Sequence, residues 1–105
     1  MFSYFGKQNN GLAFRSDSHE FARAAVARYA ETTLNAWLDG QEKDYMARDV
    51  IREIQAVFGG AGEQAVRLIE RALALAPDDP GRLSCVTEAV QLVARQLRGN
   101  PADLA

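Results

Sequence analysis

The sequence predicts an all-α fold, a compact bundle of about four helices preceded by an aromatic N-terminal arm or short β-hairpin. Apolar residues recur at intervals of three and four along most of the chain, which is the spacing of one face of an α-helix. Glycine and proline divide the chain into four segments of helical length. With 105 residues, 48% hydrophobic and 25% charged, the chain suits one globular unit, so we expect a single helical domain over residues 1–105.

The first predicted helix covers residues 18–39. Asp17 and Glu20 have the spacing of a capping box, in which the Asp side chain accepts hydrogen bonds from free amides of the first turn. Gly40 follows as the usual helix end. The apolar stripe of this helix comprises Phe21, Ala25, Tyr29, Ala30, Leu34, Trp37 and Leu38.

The second and third predicted helices cover residues 42–58 and 63–76. Gly59 ends the second, and Pro77 cannot continue the third. The glycine-rich run from Gly59 to Gly62 predicts a flexible connection between them. The apolar positions are Met46, Val50, Ile51, Ile54, Val57 and Phe58 in the second, and Ala65, Val66, Ile69, Ala72, Leu73 and Ala76 in the third.

The fourth predicted helix covers residues 80–98. Asp79 has the residue type of an N-cap, and Pro80 suits the first helical position because its missing N–H needs no partner there. We expect Val90 of this helix and Ile69 of the third to lie in the core. The full stripe is Leu83, Val86, Val90, Val93 and Leu97.

Residues 1–15 have a different pattern, with aromatic side chains on both sides of a turn rich in glycine and asparagine. This pattern allows a short β-hairpin, and equally an extended arm whose aromatic side chains dock on the helices. A lone two-stranded hairpin is marginal in water, so either form must pack on the helices or on a partner. The apolar residues concerned are Phe2, Tyr4, Phe5, Leu12 and Phe14.

The charge balance argues against partners that bind through a strong electric field. Twelve basic residues face fourteen acidic ones, which gives a formal net charge of −2 and little attraction to nucleic acid or anionic lipid. Cys85 is the single cysteine, so no internal disulfide forms, which is consistent with a reducing compartment. No apolar run reaches the roughly 18 residues that span a bilayer. We expect a cytoplasmic protein that does not insert into membranes.

The sequence offers no constellation of residues that predicts catalysis, metal binding or a cofactor. His19 and Cys85 are the only residues of their types, and neither has a partner at catalytic or metal-ligand spacing. The run from Gly59 to Gly62 lacks the preceding strand and the following Lys-Ser or Lys-Thr of a phosphate loop. We therefore expect a protein that is not an enzyme and that has no catalytic, cofactor-binding or metal-binding residues.

The remaining route to function is the surface, so we expect the chain to bind another protein. The favoured hypothesis is a bacterial immunity or antitoxin-type protein that neutralises a toxin, because acidic side chains complement the basic cleft of a toxin that cuts nucleic acid. Aromatic side chains are common anchors at such interfaces. The candidate partner-binding residues are Glu20, Glu31, Asp39, Glu42, Asp44, Asp49, Tyr29, Trp37 and Tyr45.

Two alternatives stay open. A helical adaptor, secretion chaperone or self-assembling subunit would use an apolar groove or a self-complementary helix face, and it can be a homodimer. A helix-turn-helix nucleic-acid binder would present Gln64, Arg67 and Arg71 from the third helix. Glu63 and Glu70 on the same surface oppose that function. An immunity-type protein should be a monomer whose partner binding weakens as salt rises, whereas an adaptor should dimerise or expose a large apolar patch.

Overall fold

The structure, a computed structural model, describes residues 15–97, and every regular element in this range is helical. The predicted all-α class is confirmed for this part of the chain. The arm or hairpin predicted for residues 1–15 lies outside the described residues, except for the last residue of that range, which begins the first helix. A short 3₁₀ helix, Gly59–Gly62, joins the second α-helix to the third. The α-helices are α1 (Arg15–Leu38), α2 (Asp44–Phe58), α3 (Glu63–Ala74) and α4 (Pro80–Leu97).

The helices pack in a closed order in which α1 contacts α2 and α4, and α3 contacts α4 and α2. Each of the four contributes at least one side chain that is fully buried, and each such side chain stabilises the fold by about 1.5–3 kcal/mol relative to an exposed position. Ile69 is among them, as the sequence predicts. The set is Leu34, Val50, Ile54, Ile69 and Val86. Within residues 15–97, no helix combines the length and apolar character that a membrane crossing requires.

The core face of α1 follows the predicted stripe from Tyr29 onward and departs from it in the N-terminal half of the helix. Phe21 is 76% exposed, and Ala25 is also exposed. The side chains that face the core are Val26, Ala30, Leu34 and Trp37. The prediction included Phe21 and Ala25 because of their helical spacing, but in this part of the helix Val26 is the buried residue.

The predicted stripe of α4 is confirmed at Val86 and Val93 and is wrong at Leu83 and Leu97. Leu83 is 59% exposed and Leu97 39% exposed, and Val90 is only partly buried against the core. Arg82, Cys85 and Ala89 take inward positions that the predicted stripe did not include. The inward set is Arg82, Cys85, Val86, Ala89 and Val93.

α1 ends in a Schellman motif centred on Gly40. The amide of Gln41 donates to the carbonyl oxygen of Ala36 over 2.8 Å, and the amide of Gly40 donates to that of Trp37 over 3.0 Å. Gly40 has φ 81°, a left-handed conformation that a Cβ atom would strain. The turn after α1 is therefore closed by backbone hydrogen bonds and has a defined geometry.

The start of α1 differs from the prediction. The helix begins at Arg15, so Asp17 lies inside its first turn and is not at the N-cap position that the capping box requires.

Two further helix boundaries lie inside the predicted ranges. α2 begins at Asp44 because Lys43 is extended, with ψ 167°. α3 ends at Ala74 because Leu75 is extended, with ψ 157°. The chain therefore leaves the helix before Pro77, whose ring disfavours helical geometry in the residue that precedes it.

The connection expected to be flexible is the ordered 3₁₀ helix, and it is held by a close contact. Gly59, at φ 56°, ends α2, and Gly62 is buried at the start of α3. A Cβ atom on Gly62 would lie 2.5 Å from Cγ2 of Ile54 and 3.1 Å from Cβ of Phe58. A Cβ atom on Gly60 would meet nothing within 4 Å. Glycine is therefore required at 62 by packing.

We expect Gly62→Ala to lower the free energy of unfolding by about 1–3 kcal/mol, because the added methyl overpacks the junction. The clashing atom belongs to β-branched Ile54, whose χ1 is restricted and gives little relief. Gly60→Ala is the matched control and should stay within about 0.5 kcal/mol of the parent. Urea unfolding of the two variants tests this, and equal midpoints would contradict the close contact.

Candidate binding site

At one end of the molecule, the turn between α1 and α2 lies beside the turn between α3 and α4. Two open clefts form there, with volumes of about 570 and 420 Å³. Leu38, Pro77 and Arg82 line both clefts, so the two adjoin each other. We call this surface, formed by the linings of both clefts, the turn end.

The larger cleft has charges of both signs, and we call it the mixed cleft. Its carboxylates belong to Glu42 and Asp44, and its aromatic side chains to Trp37 and Tyr45. Three cations face them, so the formal charge of the lining is positive. These cations are Lys43, Arg48 and Arg82.

The smaller cleft is predominantly negative, and we call it the acidic cleft. It is lined by Asp39, Asp78 and Asp79, with Arg82 as its one cation. Asp79 also caps α4 as the sequence predicts, because its Oδ1 accepts a hydrogen bond of 2.8 Å from an amide of the first turn. The exposed side chain of Leu83 adds an apolar wall.

Arg82 lies at the junction of the two clefts and is only 7% exposed. Its Nε–H donates to the carbonyl oxygen of Ala72 over 3.0 Å, and its guanidinium carbon lies 4.3 Å from the centroid of the Trp37 ring. The accepting carbonyl belongs to the last turn of α3, where the helix dipole favours a cation, and it also accepts from the amide of Leu75 over 3.2 Å. Arg82 therefore connects α4 to α3 and to α1.

Trp37 supports the site from inside and offers little of its own surface to a partner. The side chain is 3% exposed, and its Nε1–H donates to Oδ1 of Asp44 over 2.9 Å. The indole thus orients the first carboxylate of α2 on one side and contacts the guanidinium of Arg82 on another. Tyr45, by contrast, is 64% exposed and is the accessible aromatic group of the turn end.

Tyr29 and Asp49 are engaged with each other across the contact between α1 and α2. The Tyr29 hydroxyl donates to Oδ2 of Asp49, and the guanidinium of Arg52 donates to Oδ1 over 2.7 Å. Burial, together with the hydrogen bond and the negative charge of Asp49, raises the pKa of Tyr29 to about 12. The hydrogen bonds from Tyr29 and Arg52 lower the pKa of Asp49. The polar groups of this pair are therefore used within the fold.

The structure separates the other predicted acids from the turn end. Glu31 is exposed and lines a groove between α1 and α4. Glu20 is exposed near the start of α1, about 25 Å from Trp37 at the helical rise of about 1.5 Å per residue. The turn end thus unites part of the predicted set, namely Asp39, Glu42, Asp44, Trp37 and Tyr45.

Sequence reasoning missed the half of the turn end that comes from the α3–α4 turn and the start of α4. Asp78 and Asp79 were visible as a pair of acids in a turn, but nothing in the sequence placed them beside Asp39. The sequence contained a weak indication that Arg82 faces the core, because it lies three and four residues before the buried positions Cys85 and Val86.

The other residues considered for catalysis or metal binding lie apart from the turn end. His19 is exposed and Cys85 is buried. Within the described part of the chain, no three His, Cys, Asp or Glu side chains converge in a way that can hold a metal ion. On α3, the guanidinium of Arg67 pairs with the carboxylate of Glu63 over 2.5 Å, which offsets the charge that a recognition helix would present to DNA.

Comparisons with models of known protein families, with curated proteins and with solved structures give no match. In the described part of the chain, the protein is all-α and carries a charged surface of two adjoining clefts at one end.

We expect Arg82→Met to lower the free energy of unfolding by about 2 kcal/mol, because it removes a charge-assisted hydrogen bond while keeping most of the side-chain volume. Arg67→Met is the control. It breaks only an exposed ion pair within α3 and should cost no more than about 0.5 kcal/mol. Thermal and urea unfolding, followed by the fluorescence of the single tryptophan, measure both. Equal stability of the two variants would show that the Arg82 contacts contribute nothing.

We expect the stability to fall between pH 10 and about 12 because of Tyr29. Its pKa is raised in the folded state, so the stabilisation is complete below pH 10, the ordinary pKa of the phenol, and is lost as the pH rises through about 12. Tyr29→Phe should reduce this loss, and Asp49→Asn should lower the pKa of Tyr29 in an ultraviolet phenolate titration. The same pH profile in the parent and in Tyr29→Phe would contradict this assignment.

Proposed function

We propose that this protein is a non-enzymatic protein-binding module of the bacterial immunity or antitoxin type, which neutralises a toxin in the cytoplasm by binding it through the turn end. The proposal treats the helices as one compact bundle that presents this surface. The observation that carries it is the coincidence of two clefts, a local excess of acid and two exposed apolar side chains, Tyr45 and Leu83.

The acidic bias of the whole chain is concentrated at the turn end. Five carboxylates line the two clefts against three cations, an excess of two negative charges, which equals the formal net charge of −2 of the chain. One of the three cations, Arg82, is buried. A surface of this kind attracts a partner with a basic cleft and accelerates its association. The carboxylates are those of Asp39, Glu42, Asp44, Asp78 and Asp79.

The surface is also held in place before any partner arrives. Trp37 holds the carboxylate of Asp44, an α4 amide holds that of Asp79, and the Schellman motif at Gly40 closes the adjoining turn. Side chains that are already ordered lose less entropy on binding, which favours affinity. Tyr45, exposed among them, has the size and polarity of an interface anchor.

A second candidate function, a self-assembling subunit or helical adaptor, is favoured by a different surface. α1 and α4 run antiparallel, with Asn35 beside Leu83 in the acidic cleft. Phe21 and Leu97 are exposed, and each lies in the part of its helix remote from the turn end. Exposed large apolar side chains of this kind suit a contact between copies of this chain.

Affinity capture from the native host distinguishes the two candidates. We expect the tagged protein to recover one toxic partner at one-to-one stoichiometry and to release it as salt rises, because surface charges are screened. Replacing Asp39 and Asp78 together by lysine should weaken the isolated complex by about tenfold or more.

The matched control replaces Glu20 and Glu31 by lysine, which changes net charge equally but away from the turn end. An equal loss in both double variants would show that overall charge, and not the turn end, drives binding. Recovery of several partners, or of this chain alone as a stable dimer in sedimentation, would support the adaptor or subunit instead.

A further inference from the structure

We infer that the turn end binds an extended segment of its protein partner that carries a cation, an apolar side chain and a carboxylate, with the apolar side chain between the two charges. The inference rests on the proposed function in one respect, that the ligand is a protein. It goes further by giving each cleft its own ligand group.

The acidic cleft suits the cation of the segment. Asp78 is exposed and Asp39 is exposed on the facing turn, so carboxylates approach from two different connections. Asp79 contributes a third carboxylate, of which Oδ1 is occupied by the helix cap. A lysine or arginine side chain entering here exchanges water for several carboxylate oxygens, while its aliphatic stem packs on Leu83.

The mixed cleft suits the carboxylate of the segment. Asp44 is already paired with the indole N–H of Trp37, so its negative charge is partly offset within the fold. Lys43 and Arg48 are exposed on the rim, and the guanidinium of Arg82 lies in the lining. Glu42 also lines this cleft, so its three cations exceed its two carboxylates by one. A glutamate or aspartate side chain can pair here with exposed Lys43 and Arg48.

The border between the clefts suits the apolar side chain. Leu38 and Pro77 line both clefts, and neither carries a charge. Arg82 also lines both clefts and is held by the Ala72 carbonyl and the Trp37 ring, so it is a fixed charge at this border. A polymer with charge of only one sign, such as a nucleic acid or a polylysine segment, satisfies one cleft and is repelled by the other.

Peptide selection on the full-length protein tests this inference. A phage-displayed library of random peptides should yield binders in which a lysine or arginine and a glutamate or aspartate flank an apolar residue. Asp78→Lys and Arg48→Glu, each exposed, should weaken a selected synthetic peptide about fivefold or more. Replacing the basic residue of the peptide by an acidic one should restore binding to Asp78→Lys only. Replacing its acidic residue by a basic one should restore binding to Arg48→Glu only.

Glu20→Lys serves as the control and should leave peptide affinity within about twofold, because it lies at the far end of α1. Unchanged tryptophan fluorescence and melting temperature confirm that each variant is folded. Failure to select peptides, selection of peptides with charge of one sign, or loss of binding without charge-swap rescue would each overturn the inference.

These outcomes are separate from those of the proposed function. A toxic partner that responds to Asp78→Lys but not to Arg48→Glu would leave neutralisation standing and refute the two-charge segment. Selected peptides that obey the charge swaps, with no toxic partner recovered from the host, would support the segment and refute neutralisation.

Discussion

The guanidinium of Arg82, placed between the ring of Trp37 and the carbonyl oxygen of Ala72, is the interaction on which the turn end depends. A buried charge is costly unless its surroundings replace water, and here a helix C-terminus and an aromatic face do so. The contact joins three helices that meet where two chain turns lie side by side. It also fixes a positive charge at the border between the clefts.

The position of Arg82 also shapes the electrostatics of the surface. Because Arg82 is buried and lines both clefts, the fold keeps a countercharge close to the carboxylates of the turn end. A chain that is close to neutral overall can in this way present a negative cleft beside a positive one. Complementary charge of this kind contributes to specificity and association rate more than to raw affinity.

The rest of the protein uses its polar groups to position helices. Tyr29 and Asp49 connect α1 to α2 through a hydrogen bond, and Gly62 lets the start of α3 approach Ile54 without a side chain between them. Tyr29, Asp49 and Gly62 do not line either cleft. The turn end shares buried Trp37 and Arg82 with the core, whereas its exposed residues, such as Asp78 and Arg48, can be substituted with less effect on the fold.

The sequence by itself determined the features that depend on residues close together in the chain. The periodicity of three and four predicted helices, Gly40 predicted the end of the first, Asp79 predicted the cap of the last, and Ile69 was recognised as core. Part of the site was also visible, because Asp39, Glu42, Asp44 and Tyr45 are close in the chain as well as in space. These features arise from local backbone geometry and hydrogen bonding, which a single segment specifies.

Only the tertiary structure decided which face of each helix turns inward and which distant residues meet. Phe21 and Leu83 continue apolar stripes, yet they are exposed, whereas Arg82 is buried. Spacing along a helix shows which residues share a face, but the face that becomes buried depends on how closely the neighbouring helices approach. Asp39 and Asp78 share a cleft because α1 and α4 pack against each other, and a contact between residues so far apart in the chain leaves no local pattern.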